Sequence, residues 1–366
     1  MKLQVTQENL NRALGSVARV ASSRNTLPIL ANVLVKTTNN RLSLSATNLD
    51  IAITHYIGAK VATEGSITVP AKLMQDFINS LPSSVINLEL QETKLRITTD
   101  QYQSTVNGIV SDDFPVMPAI TNGRSWSVPA GVLKKSLQQV VFAASSDETR
   151  PVLTAVLLHS FEGALYMAAT DSYRLAEKRL NANTEDVRLL VPATAMQDLL
   201  RIIGDGAEDI LVTHDDQQIL FQVGDVELVT RLVDGKYPDY QKLIPASFAT
   251  TATLKRTDFV NVTKVSSLFA RESAGSVTIE VDEASQSLSI RSVASQLGEN
   301  TAQATAKTTG SGSITLNSRY LLDALNALNG DEVTFGFNGK LEATLLTDTA
   351  DAGKAEYKHV IMPLKG

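Results

Sequence analysis

Four histidines and a few acidic runs are the residues of this 366-residue chain that could bind a metal ion or transfer protons. The histidines lie far apart, at His55, His159, His214 and His359, and no two of them have the spacing of three to five residues that is common in zinc sites. "HDD" (His214 to Asp216) is the best metal candidate. The "QQ" and strand-like run that follow it instead indicate a hairpin turn, so the sequence predicts no metal site.

Motifs for nucleotide binding and covalent catalysis are missing from the sequence. It contains no G-x-x-x-x-G-K-[ST] loop, no G-x-G-x-x-G after a strand and no G-x-S-x-G elbow. "GDGAED" (Gly204 to Asp209) is acidic and would repel phosphate. The absence of cysteine excludes disulfides, thiol nucleophiles and cysteine-ligated metal sites. We therefore predict no catalytic residue and no cofactor, and retain a three-domain enzyme with an unrecognised active site as the alternative.

Three aspartates recur because the chain repeats itself. "PAKLMQD" ends at Asp76, "PATAMQD" at Asp198, and the diverged copy "NSRYLLD" at Asp323. A strand-like segment recurs in the same order as "RLSLSAT" (Arg41 to Thr47), "ALYMAAT" (Ala164 to Thr170) and "SLSIRSV" (Ser287 to Val293). Repeated catalysis is less plausible than a capping or surface role for these aspartates. We predict three domains, residues 1–121, 122–247 and 248–366.

Each repeat is predicted to contain two helices and several antiparallel strands. The first helices lie at Thr6 to Ala21, Pro129 to Ala144 and Lys255 to Ala270, and the recurring aspartate motif forms the second. Leu10, Leu14 and Val17 share one helical face, and "TQEN" is typical of a helix N-terminus. Runs such as "ANVLVKTT" and "KLRITTD" alternate apolar and polar residues as strands do. The fold class is therefore α+β.

Composition and charge restrict the possible partners. With 43% hydrophobic and 20% charged residues the chain is typical of a globular protein. It has no apolar run of membrane-spanning length, and "MKLQVTQENL" has no signal region, so we expect a cytoplasmic protein without a membrane partner. The net charge of −6 argues weakly against a surface that is basic throughout, although a positive stripe can lie within an acidic shell.

The triple repeat occurs together with a series of motifs: "TLPILANV", "ETRPVLTAVLL", "ATDSYRLA", "LVDGKYPDY", "LNAL" and "VIMPL". Over essentially the whole chain this combination resembles the bacterial DNA polymerase III beta subunit family, the replicative sliding clamps. The resemblance implies a head-to-tail homodimer of three-domain chains, closed as a ring around double-stranded DNA without sequence preference. It implies a non-catalytic processivity factor, and a transferase, nucleotidyltransferase or DNA-directed DNA polymerase label would describe the polymerase assembly.

The resemblance also implies a groove that binds short hydrophobic peptides. The partners would be the replicative polymerase alpha subunit, the clamp loader, other polymerases and repair proteins. The matching positions are Leu153, Thr170, Ser172, Tyr173, Arg174, Leu175, Pro238, Lys242, Leu243, Asn317, Tyr320, Val360, Ile361, Met362, Pro363 and Leu364. Ser172 and Tyr173 stand where the family often has glycine and histidine. Without the resemblance, "VIMPL" indicates only a last buried strand.

Two further surfaces are predicted. Cations on the polar faces of the helices would attract DNA without reading bases, and the resemblance adds the loop residues Arg24 and Arg150. The helical cations are Lys72, Lys134, Lys135, Arg201, Lys264 and Arg319. For the dimer, the resemblance places Leu268 and Phe269 of one chain against the edge strand at Ser104 and Val106 of another. A solvated helix face and packing within one domain are the respective alternatives.

Overall fold

The structure is a computed structural model that describes residues 1–21, 27–180, 186–294, 298–349 and 353–365. Within these ranges there are six α-helices, two in each repeat as predicted. They are α1 (Gln7–Val17), α2 (Ala71–Ser80), α3 (Ala130–Val140), α4 (Ala193–Ile202), α5 (Arg256–Phe269) and α6 (Ser318–Ala327).

The strands of the three repeats pair in antiparallel ladders, so the predicted α+β class is confirmed. The first repeat contains β1 (Lys2–Thr6), β2 (Asn32–Thr38), β3 (Arg41–Thr47), β4 (Ile51–Gly58), β5 (Lys60–Thr63), β6 (Ser66–Pro70), β7 (Val85–Gln91), β8 (Lys94–Thr98) and β9 (Gln103–Asn107). The second contains β10 (Arg124–Pro129), β11 (Ala155–Phe161), β12 (Ala164–Thr170), β13 (Arg174–Leu180), β14 (Arg188–Pro192), β15 (Asp209–His214), β16 (Gln218–Val223) and β17 (Val226–Arg231). The third contains β18 (Thr250–Lys255), β19 (Ser276–Asp282), β20 (Ser287–Ala294), β21 (Gly298–Thr305), β22 (Lys307–Thr309), β23 (Gly312–Asn317), β24 (Glu332–Phe337), β25 (Thr344–Thr347) and β26 (Tyr357–Ile361).

Helix α1 shows how local sequence forms these elements. The Thr6 hydroxyl accepts a hydrogen bond from the Asn9 N–H at 3.4 Å, which satisfies one of the free donors at the helix N-terminus. Glu8 in the first turn interacts favourably with the helix dipole. Leu10 and Leu14 are buried on one face, as their spacing predicts. The helix ends four residues before the predicted Ala21.

Residues 1–131 and 194–232 form one compact unit with two sheets. One sheet has the strand order β5-β1-β7-β8-β9, and the other has the order β10-β15-β16-β17-β4-β3-β2-β6. The second sheet joins the first and second repeats because β17 pairs with β4, with Thr230 opposite Ile51. Helix α1 packs against β4 and α2.

Residues 132–193 and 233–366 form the other compact unit. Its larger sheet has the order β14-β11-β12-β13-β26-β25-β24-β18-β22, and its smaller sheet has the order β21-β20-β19-β23. The pairing of β13 with β26, with Arg174 opposite Ile361, joins the second and third repeats as β17 and β4 join the first and second. Helix α5 packs against β20, β21 and α6.

The "HDD" segment is a hairpin turn, as predicted. Asp215 Oδ1 accepts hydrogen bonds from the backbone N–H groups of Gln217 and Gln218, both at 2.8 Å, between β15 and β16. In the described part of the chain, no cluster of histidine and acidic side chains could hold a metal ion. No helix among the described residues is long and apolar enough to span a membrane.

Candidate functional site

The predicted groove residues come together in the second unit, where β13 begins beside the end of β26. The chain after β26 is fixed there by two backbone hydrogen bonds. The Met362 N–H donates to the Tyr173 carbonyl at 2.8 Å, and the Leu364 N–H donates to the Thr315 carbonyl at 2.9 Å. The strand β26 thus ends within "VIMPL", and backbone hydrogen bonds hold the residues that follow it.

Three of the predicted groove residues belong to a buried apolar cluster. Leu175 on β13 lies opposite Val360 on β26, and Leu153 packs in the same cluster. Its other buried members are Ala155, Leu157, Ala168, Leu190, Tyr237, Tyr240 and Leu345. The alternation of each strand places the strand members of this cluster on one face of the sheet.

Two tyrosines of this cluster were not predicted as site residues. Tyr237 and Tyr240 stand in the "YPDY" motif, and both are buried. Tyr240 Oη lies 2.7 Å from His159 Nε2, and burial raises the pKa of each phenol, so both remain protonated and neutral. The sequence signal for them was a pair of aromatic residues three positions apart in a loop rich in proline and aspartate.

Other predicted groove residues are exposed at the surface. Tyr173 is 60% exposed, Leu243 51% and Met362 37%. Pro238 and Lys242 are also exposed, whereas Pro363 and Leu364 are half-buried. Ile361 is fully buried, and its side chain points to the opposite face of the sheet from Val360.

The turn before β13 has a special backbone conformation at Ser172. Its φ of +79° lies in the left-handed region, which glycine adopts without steric cost. Side chains stabilise the turn: Thr170 Oγ1 donates to the Arg174 carbonyl at 2.6 Å and accepts from the Ser172 N–H at 3.1 Å. Arg150 Nη1 donates to Ser172 Oγ at 3.0 Å. Ser172 thus adopts a backbone conformation that favours glycine, and its hydrogen bonds with Thr170 and Arg150 stabilise it.

Arg174, another predicted groove residue, is enclosed by contacts within the second unit. Its guanidinium donates to Asp171 Oδ2 at 3.1 Å, to Asp323 Oδ2 at 2.6 Å and to the Phe142 carbonyl at 2.8 Å. The guanidinium carbon also lies 5.2 Å from the ring centroid of Phe142 and 4.6 Å from that of Tyr320. With its side chain only 11% exposed, Arg174 joins β13, the residues after α3, and α6.

Asn317 positions Tyr320 against Arg174. As the N-cap of α6, Asn317 accepts hydrogen bonds from the N–H groups of Arg319 at 2.9 Å and Tyr320 at 3.4 Å. Its Nδ2 donates to the Ala274 carbonyl at 3.2 Å. Phe142, Asp171 and Asp323 were missed as site residues, and for Asp323 the available signal was its recurrence in the repeated motif.

The predicted DNA-facing cations lie in several environments. Five are exposed on helices: Lys72, Lys135, Arg201, Lys264 and Arg319. Arg201 forms an ion pair with Asp198 at 2.8 Å, and Arg150 forms one with Asp147 at 2.8 Å. Lys134 is half-buried. Arg24 lies outside the described residues.

In the first unit, α1 and α4 border a cavity of about 790 Å³ whose wall carries both signs of charge. The cations are Arg12, Arg19 and Arg201, and the carboxylates include Asp198 and Asp225. His55 lines the same cavity, with Nδ1 2.7 Å from Ser16 Oγ. Burial lowers the pKa of His55 to about 4, so it is neutral near pH 7. The arginines of this cavity therefore lie close to carboxylates and do not form a dense basic patch.

The predicted dimer residues lie on the edge strand β9 of the first unit and at the end of α5 in the second unit. Among the described strands, β9 pairs only with β8, and β21 pairs only with β20. On β9, Ser104 is half-buried and Val106 is buried within its own unit. Leu268, at the end of the α5 helix that covers β21, is 51% exposed, and Phe269 is half-buried.

Comparison with known proteins gives matches along the whole chain. Models of the DNA polymerase III beta subunit match in order: the N-terminal domain at residues 1–118, the central domain at 127–239 and the C-terminal domain at 241–365. The beta sliding clamp of Synechococcus elongatus is 31% identical over 375 residues, which cover 100% of this chain and 99% of that protein.

Solved structures show the same fold. The DNA polymerase sliding clamp from Bacillus subtilis superposes with a TM-score of 0.94 at 27% identity, covering 100% of this chain and 99% of that one. The DnaN sliding clamp from Bartonella birtlesii, solved bound to griselimycin, gives a TM-score of 0.93 at 29% identity with complete coverage of both chains.

Proposed function

Because the chain belongs to the DNA polymerase III beta subunit family, we propose that it is a sliding clamp that tethers the replicative DNA polymerase to duplex DNA. The observation that carries this proposal is the full-length match, in which all three family models occur in order. A tether raises the effective concentration of the polymerase at the primer end, so a dissociated enzyme rebinds before it diffuses away. The three clamp domains, residues 1–121, 122–247 and 248–366, are part of the proposal, and the internal repeat supports them.

The groove of the second unit is proposed to hold a short hydrophobic peptide from each partner. The partners are the polymerase alpha subunit, the clamp loader, and other polymerases and repair proteins. A buried apolar floor with Leu243 and Met362 exposed at the rim suits aliphatic or aromatic peptide side chains, each of which gains about 1.5–3 kcal/mol on full burial. Methionine is unbranched and adapts to different partners.

Arg174 is proposed to support this groove rather than to bind a peptide carboxylate. Its donors already serve Asp171, Asp323 and the Phe142 carbonyl. Lys242 is the more accessible cation, since its pair with Asp239 at 2.7 Å is exposed and such pairs are weak.

The helix cations are proposed to contact DNA phosphates. They are scattered, and Arg201 pairs with a neighbouring carboxylate. A few phosphate contacts without base readout give weak, salt-dependent attraction, which permits sliding. A densely basic surface would hold the duplex too tightly for this task.

Two chains are proposed to close head to tail, with β9 of one chain against β21 of the other. Each of these strands has one side unpaired in the described part of a single chain. Exposed strand edges favour pairing, and Leu268 with Phe269 would supply apolar contact beside the new ladder.

We also infer that the chain is a non-catalytic subunit acting in the cytoplasm. Encircling and docking are binding functions, so the chain needs no reaction of its own. Any polymerase label describes the complete holoenzyme.

Retention on circular and linear DNA tests the topological proposal. The chain would be loaded by its clamp loader and ATP onto a nicked circular plasmid, and onto the same plasmid after linearisation. Stable retention on circles with rapid loss from linear DNA is expected, and proteins bound at both ends should restore retention. Equal retention on circular and linear DNA would contradict the proposal.

A further inference from the structure

A second pocket of about 370 Å³ lies on the sheet that carries the groove, within the second unit. Phe161, Tyr166, Ile244 and Pro245 provide most of its apolar wall. Glu177 and Lys358 come from the sheet beneath it.

This pocket continues the groove along β13 and β26. Leu175 and Val360 face each other in the groove floor, and two residues along, Glu177 and Lys358 face each other in the pocket. Residues two apart on a strand point to the same face and lie about 7 Å apart. The two sites therefore lie next to each other on the same face of the sheet.

The segment after Tyr240 links the two sites. Tyr240 belongs to the groove cluster, while Ile244 packs against that cluster and also lines the pocket. Leu243, between them, is exposed at the groove rim. A peptide that leaves the groove over this segment would meet the pocket next.

The chemistry of the pocket favours an apolar occupant. Glu177 Oε1 lies 3.3 Å from Lys358 Nζ, so the charges on the floor compensate each other. Phe161 is 43% exposed and meets Tyr166 edge-on at a centroid distance of 6.2 Å, while Tyr166 stacks on His159 at 5.6 Å. Because this aromatic wall is fixed by packing and carries no net charge, burial of an apolar side chain against it is favourable. A charged side chain would lose its hydration there.

We propose that this pocket is an additional subsite for partner peptides and accepts one apolar, preferably aromatic, side chain beyond the part held in the groove. The separation of about 7 Å along the strands corresponds to roughly two residues of extended peptide, which a three-residue spacer can span. This inference rests on the proposed peptide groove and names a further feature of its ligands.

Extended peptides test the subsite. The core probe is the shortest fluorescein-labelled segment of the replicative polymerase alpha subunit that binds the chain. Phenylalanine or alanine is attached through a Gly-Ser-Gly spacer, as Phe-Gly-Ser-Gly or Ala-Gly-Ser-Gly at the N-terminus and as Gly-Ser-Gly-Phe or Gly-Ser-Gly-Ala at the C-terminus, and the Kd is measured by fluorescence anisotropy. At one terminus, the phenylalanine extension should bind about tenfold more tightly than the alanine extension.

Variants of the chain test whether the tighter binding of the phenylalanine-extended peptide depends on this pocket. In Phe161→Ser the tenfold gain should disappear while the Kd of the alanine-extended peptide stays within about twofold, and Phe161→Leu should keep most of the gain. Val116→Ser is the matched control, because Val116 is 95% exposed on a loop of the first unit, and it should keep the full gain.

Three results would overturn the subsite: no gain at either terminus, a gain that survives Phe161→Ser, or a larger gain from lysine or aspartate in place of the terminal phenylalanine. Failure of every alpha-subunit segment to bind would instead overturn the groove itself, and this inference with it. The core peptide thus separates the two proposals.

Discussion

Replacing Arg174 with alanine should destabilise the second unit and weaken peptide binding at the same time. The change leaves the carboxylates of Asp171 and Asp323, 15% and 35% exposed, without their guanidinium partner. Breaking a buried ion pair by removing one partner costs about 3–5 kcal/mol. Because Asp323 is partly solvated, we expect the lower end, about 3 kcal/mol, including the lost contacts with Phe142 and Tyr320.

Denaturation measurements give this loss directly. For a cooperative unit of roughly 200 residues, a loss of about 3 kcal/mol lowers the Tm by about 6–12 °C. Arg201→Ala is the matched control, since Arg201 also pairs with an aspartate three residues away but is 52% exposed. We expect it to lose less than about 1 kcal/mol. Arg174→Lys keeps the positive charge but lacks the planar guanidinium with its several donors. Its loss in free energy of unfolding should lie between those of Arg174→Ala and Arg201→Ala.

Arg174 and Asp323 should be energetically coupled. A double-mutant cycle with Asp323→Ala should give an interaction energy of about 1–3 kcal/mol. If Arg174→Ala costs no more than Arg201→Ala, or if the cycle shows no coupling, Arg174 does not support the groove as described.

Three further predictions concern acid stability, assembly and docking. Burial, with a smaller effect of Arg174, lowers the pKa of His359 from 6.5 to about 3. Between these two pH values the unfolded chain binds more protons than the folded chain. The free energy of unfolding should therefore fall by about 1.4 kcal/mol for each pH unit as the pH decreases through that window. Urea unfolding from pH 6 to 4 should show a shallower loss in His359→Gln, and an unchanged slope would contradict this assignment. Leu268→Lys should give monomers in light scattering while Leu211→Lys, at a site 39% exposed in the first unit, remains dimeric; a dimeric Leu268→Lys would rule out the proposed interface. Deleting residues 362–366 removes the Met362 and Leu364 backbone bonds and should abolish peptide binding without changing the oligomer, whereas unchanged peptide affinity would show that the groove is misplaced.

Local patterns in the sequence predicted the elements well. The spacing of Leu10, Leu14 and Val17 predicted the buried face of α1, and Thr6 predicted its start. The helix ended at Val17 rather than near Ala21, because apolar spacing marks a buried face and does not specify where backbone hydrogen bonding stops. The turn at Asp215 followed from side-chain bonding to nearby backbone groups.

The sequence by itself determined the threefold repeat, the two helices of each repeat and the family resemblance, because each depends on residue order and local periodicity. Tertiary structure alone decided that Arg174 meets Asp323 and the Phe142 carbonyl, residues far from it in the chain. It also decided that Phe161 and Ile244 border one pocket beside the groove. Contacts of this kind arise when distant segments of the chain pack against one sheet, and neither periodicity nor spacing along the chain encodes which distant side chains then meet.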